Sequence, residues 1–388
     1  MAIYLDHNAG APIRPEVRAA LAPLLEAGVG NPSSVHRSGQ AARRMLEQAR
    51  GRVAALIGAR PAQIVFCSGG TEANNLAIAG AVRVRSGRHR IVTSAIEHSS
   101  ILKPVERLEA EGMEVVRVTP DHEGRLDPQR IIELITRDCA LVALGLANSE
   151  VGTIQDLAPI TQAARDAAAI FHIDAAQAAG RIAVDAAQLG CDLMTLSGHK
   201  LGAPAGIGAL YVRDASALAP LIVGGPQERG LRAGTPNLFG AVGLGAAAEA
   251  VCARMAQESA TMAQLRNMLL ERLRAAIPGL AVNGPRQAVL PNTLNLQFPG
   301  VLGETMLIAL DLEGVQVSMG SACAAGAVEP SHVLLAMGRD AQAARSSLRI
   351  SLGYSTTPRE VEEASAIIIA TWRRIAHAAQ RQAAEAAP

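Results

Sequence analysis

Residues 63–82 read QIVFCSGGTEANNLAIAGAV. The apolar run reads as a short strand, the glycines as a turn and the remainder as a helix. The theme recurs in RIVTSAIEHSSILKPVERLEAEG (90–112). EVVRVTP, ALVALGLANSE and AIFHIDAAQAAG are further apolar runs that end in polar or small residues, and CDLMTLSGHK and GIGALYVR add two more strands. Strands that alternate with helices predict an α/β fold with a mostly parallel sheet covered on both faces. Ligands bind such sheets beyond the carboxyl ends of the strands. Ser68–Thr71, Glu97–His98, Asn148–Glu150, Asp174–Gln177 and Ser197–Lys200 all fall there.

Working outward, residues 36–57 and about 237–277 read as helices, the second long and rich in alanine. NTLNLQF, GVQVSMGSAC and SSLRISLG then interleave short strands with helices. This organisation predicts a large domain over 12–256 and a smaller α+β domain over 257–388, to which residues 1–11 return. The last residues are expected to be a frayed helix end.

The chain has 388 residues, a net charge of +1 and no block of one sign. This points away from nucleic-acid and membrane-surface partners. No signal sequence and no uncharged apolar run of membrane-spanning length is read, so a cytoplasmic location is expected. Five cysteines without a C-x-x-C pair argue against a disulfide framework or a metal site. Cys67, Cys139, Cys191 and Cys252 sit in apolar contexts and are expected to be packed thiols.

The chain carries 36 lysines and arginines, of which only Lys103 and Lys200 are lysines. Arginine replaces lysine as a surface charge, but not where the amine must lose its proton. Lys200 follows a strand end and is ringed by Gly198, Gly202, Ala203 and Gly206. A desolvated amine there would be a nucleophile toward aldehydes, the chemistry that holds pyridoxal phosphate; the alternative is a surface charge. Lys103, beside Pro104 and Glu106, reads as a solvated charge. Asp174 ends an apolar strand and could pair with a pyridinium nitrogen, or cap a helix. Gly69, Gly70 and Thr71 could receive a phosphate at a helix start, or form an ordinary turn. His98 could stack on a ring and shuttle protons, or be structural. Cys323, among serine, glycine and alanine, reads as an accessible thiol or an incidental loop cysteine. Arg349, the one charge in SSLRISLG, suits a substrate carboxylate or an interdomain ion pair. No P-loop, G-x-S-x-G or H-E-x-x-H string occurs, and GLGAAA (243–248) lies inside a helix with no strand before it.

YLDHNAGAP, GNPSSVH, SGGTEANNLAI, NSEVGTIQ, IDAAQAAG, SGHKLGAPAGIGALYVR, QERGLRAGTPN, SMGSAC and RISLG occur in this order over nearly the whole chain. Together they resemble the cysteine desulfurases of the NifS/IscS type, among the class V, fold type I pyridoxal-phosphate enzymes. The resemblance implies a seven-stranded, mostly parallel sheet in the large domain. It also implies removal of sulfur from L-cysteine, giving alanine and a persulfide on Cys323. Lys200 would hold pyridoxal 5'-phosphate and move protons, Asp174 would pair with the ring nitrogen and Gln177 with the ring hydroxyl. His98 would stack on the ring, and Ser149 would touch the cofactor where the family has asparagine. Gly70, Thr71, Ser197 and His199 would bind the phosphate. Thr235 would reach the phosphate of a neighbouring subunit in a homodimer. Arg349 and Asn31 would hold the substrate carboxylate. A sulfur acceptor or iron–sulfur scaffold protein would be the partner. The alternatives are a selenocysteine lyase or another class V aminotransferase, for which Cys323 would have no use, and a non-catalytic dimer that keeps the fold. Gly10-Ala11 and Pro226 also depart from the family pattern.

Overall fold

The structure is a computed structural model that describes residues 2–28, 30–320 and 329–385. Its centre is a seven-stranded sheet in the order Ile64–Cys67, Gly208–Val212, Leu193–Ser197, Ile170–Asp174, Cys139–Gly145, Arg90–Ser94 and Glu114–Val118. All neighbours run parallel except Gly208–Val212, which is antiparallel to both strands beside it. The parallel strands are near-continuous apolar runs because helices cover both faces. Their carboxyl ends therefore open on one side of the sheet. The register sets Gly145 beside Asp174, and Asp174 beside Thr195.

One face packs against the helices Arg37–Leu56 and Leu238–Ala276 through residues such as Leu46, Val53, Phe171, Met194 and Leu244. The other packs against Gly70–Val84 and Ser99–Ala110 through Leu76, Ile78, Ile101 and Val105. A separate core gathers Leu5, Leu296, Phe298, Leu310, Leu348 and Ile350 around a three-stranded antiparallel sheet. That sheet has the order Ser347–Ser351, Thr293–Gln297, Ala281–Asn283. Ile3–Tyr4 pairs parallel with Val315–Gln316 on its flank, so the amino terminus joins this second core.

Leu238–Ala276 serves both cores. Its first turns are small residues buried all round, and a Cβ on Gly245 would lie 2.7 Å from Ala49 Cα. Only glycine lets the two helices approach so closely. Further along, Leu265, Leu269 and Leu273 form a single apolar stripe toward the second core. By length and composition this helix could cross a membrane, although no uncharged run of that length is read from the sequence; 67% of its most apolar window is buried inside the protein. It is a core helix.

Cys67, Cys139 and Cys191 are buried, as their apolar contexts suggest, but Cys252 is exposed. It stands where the long helix leaves the first core and becomes one-sided, so an alanine-rich context gives no inward face there. Cys323 lies outside the described residues.

Candidate active site

Beyond the strand ends lies a cavity of about 680 Å³. Five of the seven strands deliver their last or first following residues to it: Ser68–Thr71, Ile96–Ser100, Ala147–Glu150, Asp174 and Gln177, Ser197 and Lys200. Of the residues singled out from the sequence, Lys200, Asp174, His98, Gly70, Thr71, Ser149, Gln177, Ser197, His199 and Arg349 line it. Asn31 and Thr235 are exposed and do not line it; Asn31 Oδ1 instead accepts a hydrogen bond from the Ser33 amide.

Lys200 Nζ donates to the carbonyls of Asn8 and Ala9, at 2.5 and 2.9 Å. Burial, then the positive charges of Arg181 and Arg349, lower its pKa to about 8. The two carbonyls accept from the amine but supply no counter-charge, so burial and the neighbouring arginines prevail and the amine loses its proton more easily than a free lysine. Lys103, by contrast, is exposed and pairs with Glu106 at 2.7 Å. Burial and the nearby Lys200 charge push His199 down to about 4, so this ring is neutral at pH 7. Its Nδ1 lies 3.1 Å from Ser197 Oγ.

Asp174 Oδ2 accepts from Asn74 Nδ2 at 2.7 Å, and Oδ1 accepts from the Ala176 amide at 2.9 Å. Gln177 Nε2 donates to Asn8 O at 3.1 Å, while its buried Oε1 has no partner among the described residues. An orphaned buried acceptor is costly unless something else supplies a donor. The helix Gly70–Val84 begins at Gly69 with no side chain capping its first amides. A Cβ on Gly70 would meet Ser197 Cβ at 3.2 Å, so a glycine keeps this approach open. Bare amides at a helix start are a ready anion site.

The far side of the cavity is built differently. Arg349 is buried on the strand Ser347–Ser351. It donates to Asp6 Oδ1 at 2.8 Å, to Gly320 O at 3.0 Å and to Ser149 O at 3.3 Å. Glu150 accepts from Ser331 Oγ at 2.5 Å, and burial raises its pKa.

Several residues of the site carry no signal in the sequence reading. Asn8 donates to Ser149 O and Thr293 Oγ1, accepts from Asn292, and offers its carbonyl to both Lys200 and Gln177. Its partners come from distant segments, so no local pattern marks it. The same holds for Asn74, inside a helix, and for His332. Glu97 is visible only as the neighbour of His98. It accepts from Ser94 Oγ at 2.6 Å and from the Gly145 amide at 2.8 Å, and burial raises its pKa to about 8.

A neutralisable amine, a carboxylate, an imidazole and a bare helix start thus share one cavity. The class-V aminotransferase family matches residues 3–363. The cysteine desulfurase IscS of Dictyoglomus turgidum is 41% identical over 361 residues, covering 92% of this chain and 91% of that one. A solved NifS-like protein superposes with a TM-score of 0.89 at 33% identity, covering 95% of this chain and 99% of the other. SspA, solved in complex with cysteine, gives 0.80 at 34% identity, covering 91% and 99%. A match over nearly the full length of both chains, at this identity and on this sheet, leaves one conclusion: the chain belongs to the class-V aminotransferase family, among the cysteine desulfurases of the NifS/IscS type.

Proposed function

We propose that the chain is a pyridoxal-phosphate-dependent cysteine desulfurase, taking sulfur from L-cysteine to give alanine and a persulfide on Cys323. The observation that carries this reading is Lys200: a half-buried amine with a pKa of about 8 that shares one cavity with Asp174. The residues present fit the cofactor. Gln177 Oε1 is a buried acceptor with no partner among the described residues, suited to a ring hydroxyl. The uncapped amides at Gly70 and Thr71, with Ser197 and neutral His199, suit a phosphate. When bound, pyridoxal phosphate supplies an electron sink that acidifies the substrate's α-proton.

The chain's own groups do the rest. Lys200 holds the aldehyde, and its lowered pKa lets it take and return a proton at Nζ. Asp174 stabilises positive charge on the ring nitrogen, itself oriented by Asn74 and the Ala176 amide. His98 would cover the ring. Ser149 would meet the cofactor where the family pattern implies asparagine. Arg349 meets the substrate carboxylate, and Asn31 is assigned to the same carboxylate from outside the cavity lining. Cys323 attacks the substrate sulfur. Thr235, exposed here, is assigned to a second copy's phosphate in a homodimer. The division into 12–256, and 1–11 with 257–388, is retained as the domain assignment. The protein is assigned to the cytoplasm, with a sulfur-acceptor or scaffold protein as partner.

The test is alanine and sulfide formation from L-cysteine, with and without a thiol reductant. Cys323→Ala should abolish sulfide release yet keep the visible absorption band of the bound cofactor. Unchanged alanine and sulfide formation in that variant would refute persulfide formation on Cys323 and favour a lyase that does not use this thiol.

A further inference from the structure

His98 caps the helix Ser99–Ala110 with its side chain. Its Nδ1 faces two hydrogen-bonding groups of one residue. The Ser100 amide donates to it at 3.1 Å, and Ser100 Oγ lies 2.7 Å away. A third residue fixes the direction of the second bond. Asn74 Nδ2 donates to Ser100 Oγ at 2.8 Å and to Asp174 Oδ2 at 2.7 Å. A carboxylate oxygen accepts, so the Asn74 amide nitrogen is the group turned toward both. Ser100 Oγ already receives the Asn74 hydrogen, and Nδ1 already receives the Ser100 amide hydrogen. The hydroxyl proton is then available for donation to Nδ1, 2.7 Å away. Nδ1 is therefore bare, and the neutral ring carries its proton on Nε2.

We propose that Asn74 and Ser100 are positioning residues that lock His98 in the Nε2–H tautomer, so that this ring meets a ligand as a hydrogen-bond donor. The path from Asp174 through Asn74 and Ser100 to His98 runs entirely through side chains. Asn74 and Ser100 are both buried, so water does not compete for these bonds. Nε2 has no protein partner among the described residues and is left for whatever enters.

A second imidazole carries the same tautomer with the opposite nitrogen free. His332 Nε2 lies 3.1 Å from the Glu97 carbonyl, which can only accept, so Nε2 holds a proton, and whenever the ring is neutral Nδ1 is its bare nitrogen. His332 is exposed and lines the same cavity. A proton leaving a thiol cannot go to His98 while the lock holds. His332 Nδ1, in the neutral ring, is a bare imidazole nitrogen that can take it: the S–H bond breaks, an N–H bond forms, and a thiolate faces an imidazolium. That consequence rests on the desulfurase reading; the lock does not.

The readout is nitrogen NMR of the purified holoenzyme labelled with ¹⁵N-histidine, the two rings being assigned with His98→Gln and His332→Gln. The expected spectrum shows a protonated Nε2 and a bare, hydrogen-bonded Nδ1 for His98, and a bare Nδ1 for His332. Ser100→Ala removes the hydroxyl but keeps the backbone donor. The His98 Nδ1 resonance should then move toward that of a free pyridine-type nitrogen, and Ser100→Thr should return it. A protonated Nδ1 on His98 in the wild type, or a Ser100→Ala spectrum matching the wild type, would overturn the lock. A protonated Nδ1 on neutral His332 would overturn the pairing of the two rings. Failure of the desulfurase reading would show as absent sulfide release and would leave this spectrum unchanged.

Discussion

The cavity has two unlike walls. On the sheet side, Lys200, His98 and the first amides of the helix Gly70–Val84 end in groups with spare hydrogen-bonding capacity. On the second-core side, Arg349 is already engaged by a carboxylate and two carbonyls, and Glu150 by Ser331. The first wall is organised before anything binds, and it gains by binding. The second is mostly engaged with itself, although Arg349 Nε is buried without a partner among the described residues, so a carboxylate that reaches Arg349 finds one free donor and competes with Asp6 for the others. Preorganised, unsatisfied groups contribute most where charge develops during reaction. Satisfied groups set the cost of entry.

Breaking the first wall should have the largest effect. Lys200→Ala should lower turnover of L-cysteine by at least about 10⁴-fold, since under the proposed function it would remove both the covalent anchor and the proton carrier. Lys200→Arg should fail as completely, because guanidinium keeps its proton. Stopped-flow absorbance with alanine quantitation checks both. An active arginine variant would remove the reason for reading Lys200 as more than a charge.

The second wall should respond less, and mainly in binding. Arg349→Lys keeps a charge but loses the planar fork that donates to Asp6, Gly320 and Ser149. kcat/KM for L-cysteine should fall by about 10–100-fold, a loss of about 1.4–2.8 kcal/mol, carried mostly by KM. A fall confined to kcat would mean that this wall takes part in the chemical step, and the contrast between the walls would not hold.

The same contrast governs what the sequence reveals. Strand-end residues are legible because the period of the sheet places them: Asp174, His98 and Lys200 each follow an apolar run directly. The seven strands are readable for the same reason, as is the long helix, apart from its one exposed cysteine. The second wall is assembled from residues far apart in the chain. Asp6 reaches Arg349 across 343 positions, and Asn8 reaches Thr293 across 285. No periodicity encodes such pairings. Asn74 is hidden for another reason: its helix shows apolar spacing, and a polar residue on the buried side looks like noise until Asp174 and Ser100 are seen beside it.

Glu97 belongs to the first wall yet should be nearly silent at neutral pH. Burial, and then the charge of Asp174, raise its pKa from 4.5 to about 8, so it holds a proton at pH 7. As an acid it still accepts from Ser94 Oγ and from the Gly145 amide through its two oxygens. Glutamine meets the same two partners in nearly the same shape. Glu97→Gln should therefore change kcat/KM at pH 7 by less than about threefold, within roughly 0.7 kcal/mol. The difference should appear with pH. In the unfolded chain the carboxyl ionises near 4.5, whereas in the fold it stays protonated to about 8. Its contribution to stability is full below the first value and is lost as pH rises through the second, because over that interval the folded state binds the extra proton. The wild type should thus lose stability across this window, and Glu97→Gln should show a shallower loss in urea midpoints measured along it. Parallel pH profiles would mean that Glu97 is ionised in the fold, leaving two carboxylate charges in one buried wall and a stronger pull on every cation that faces it.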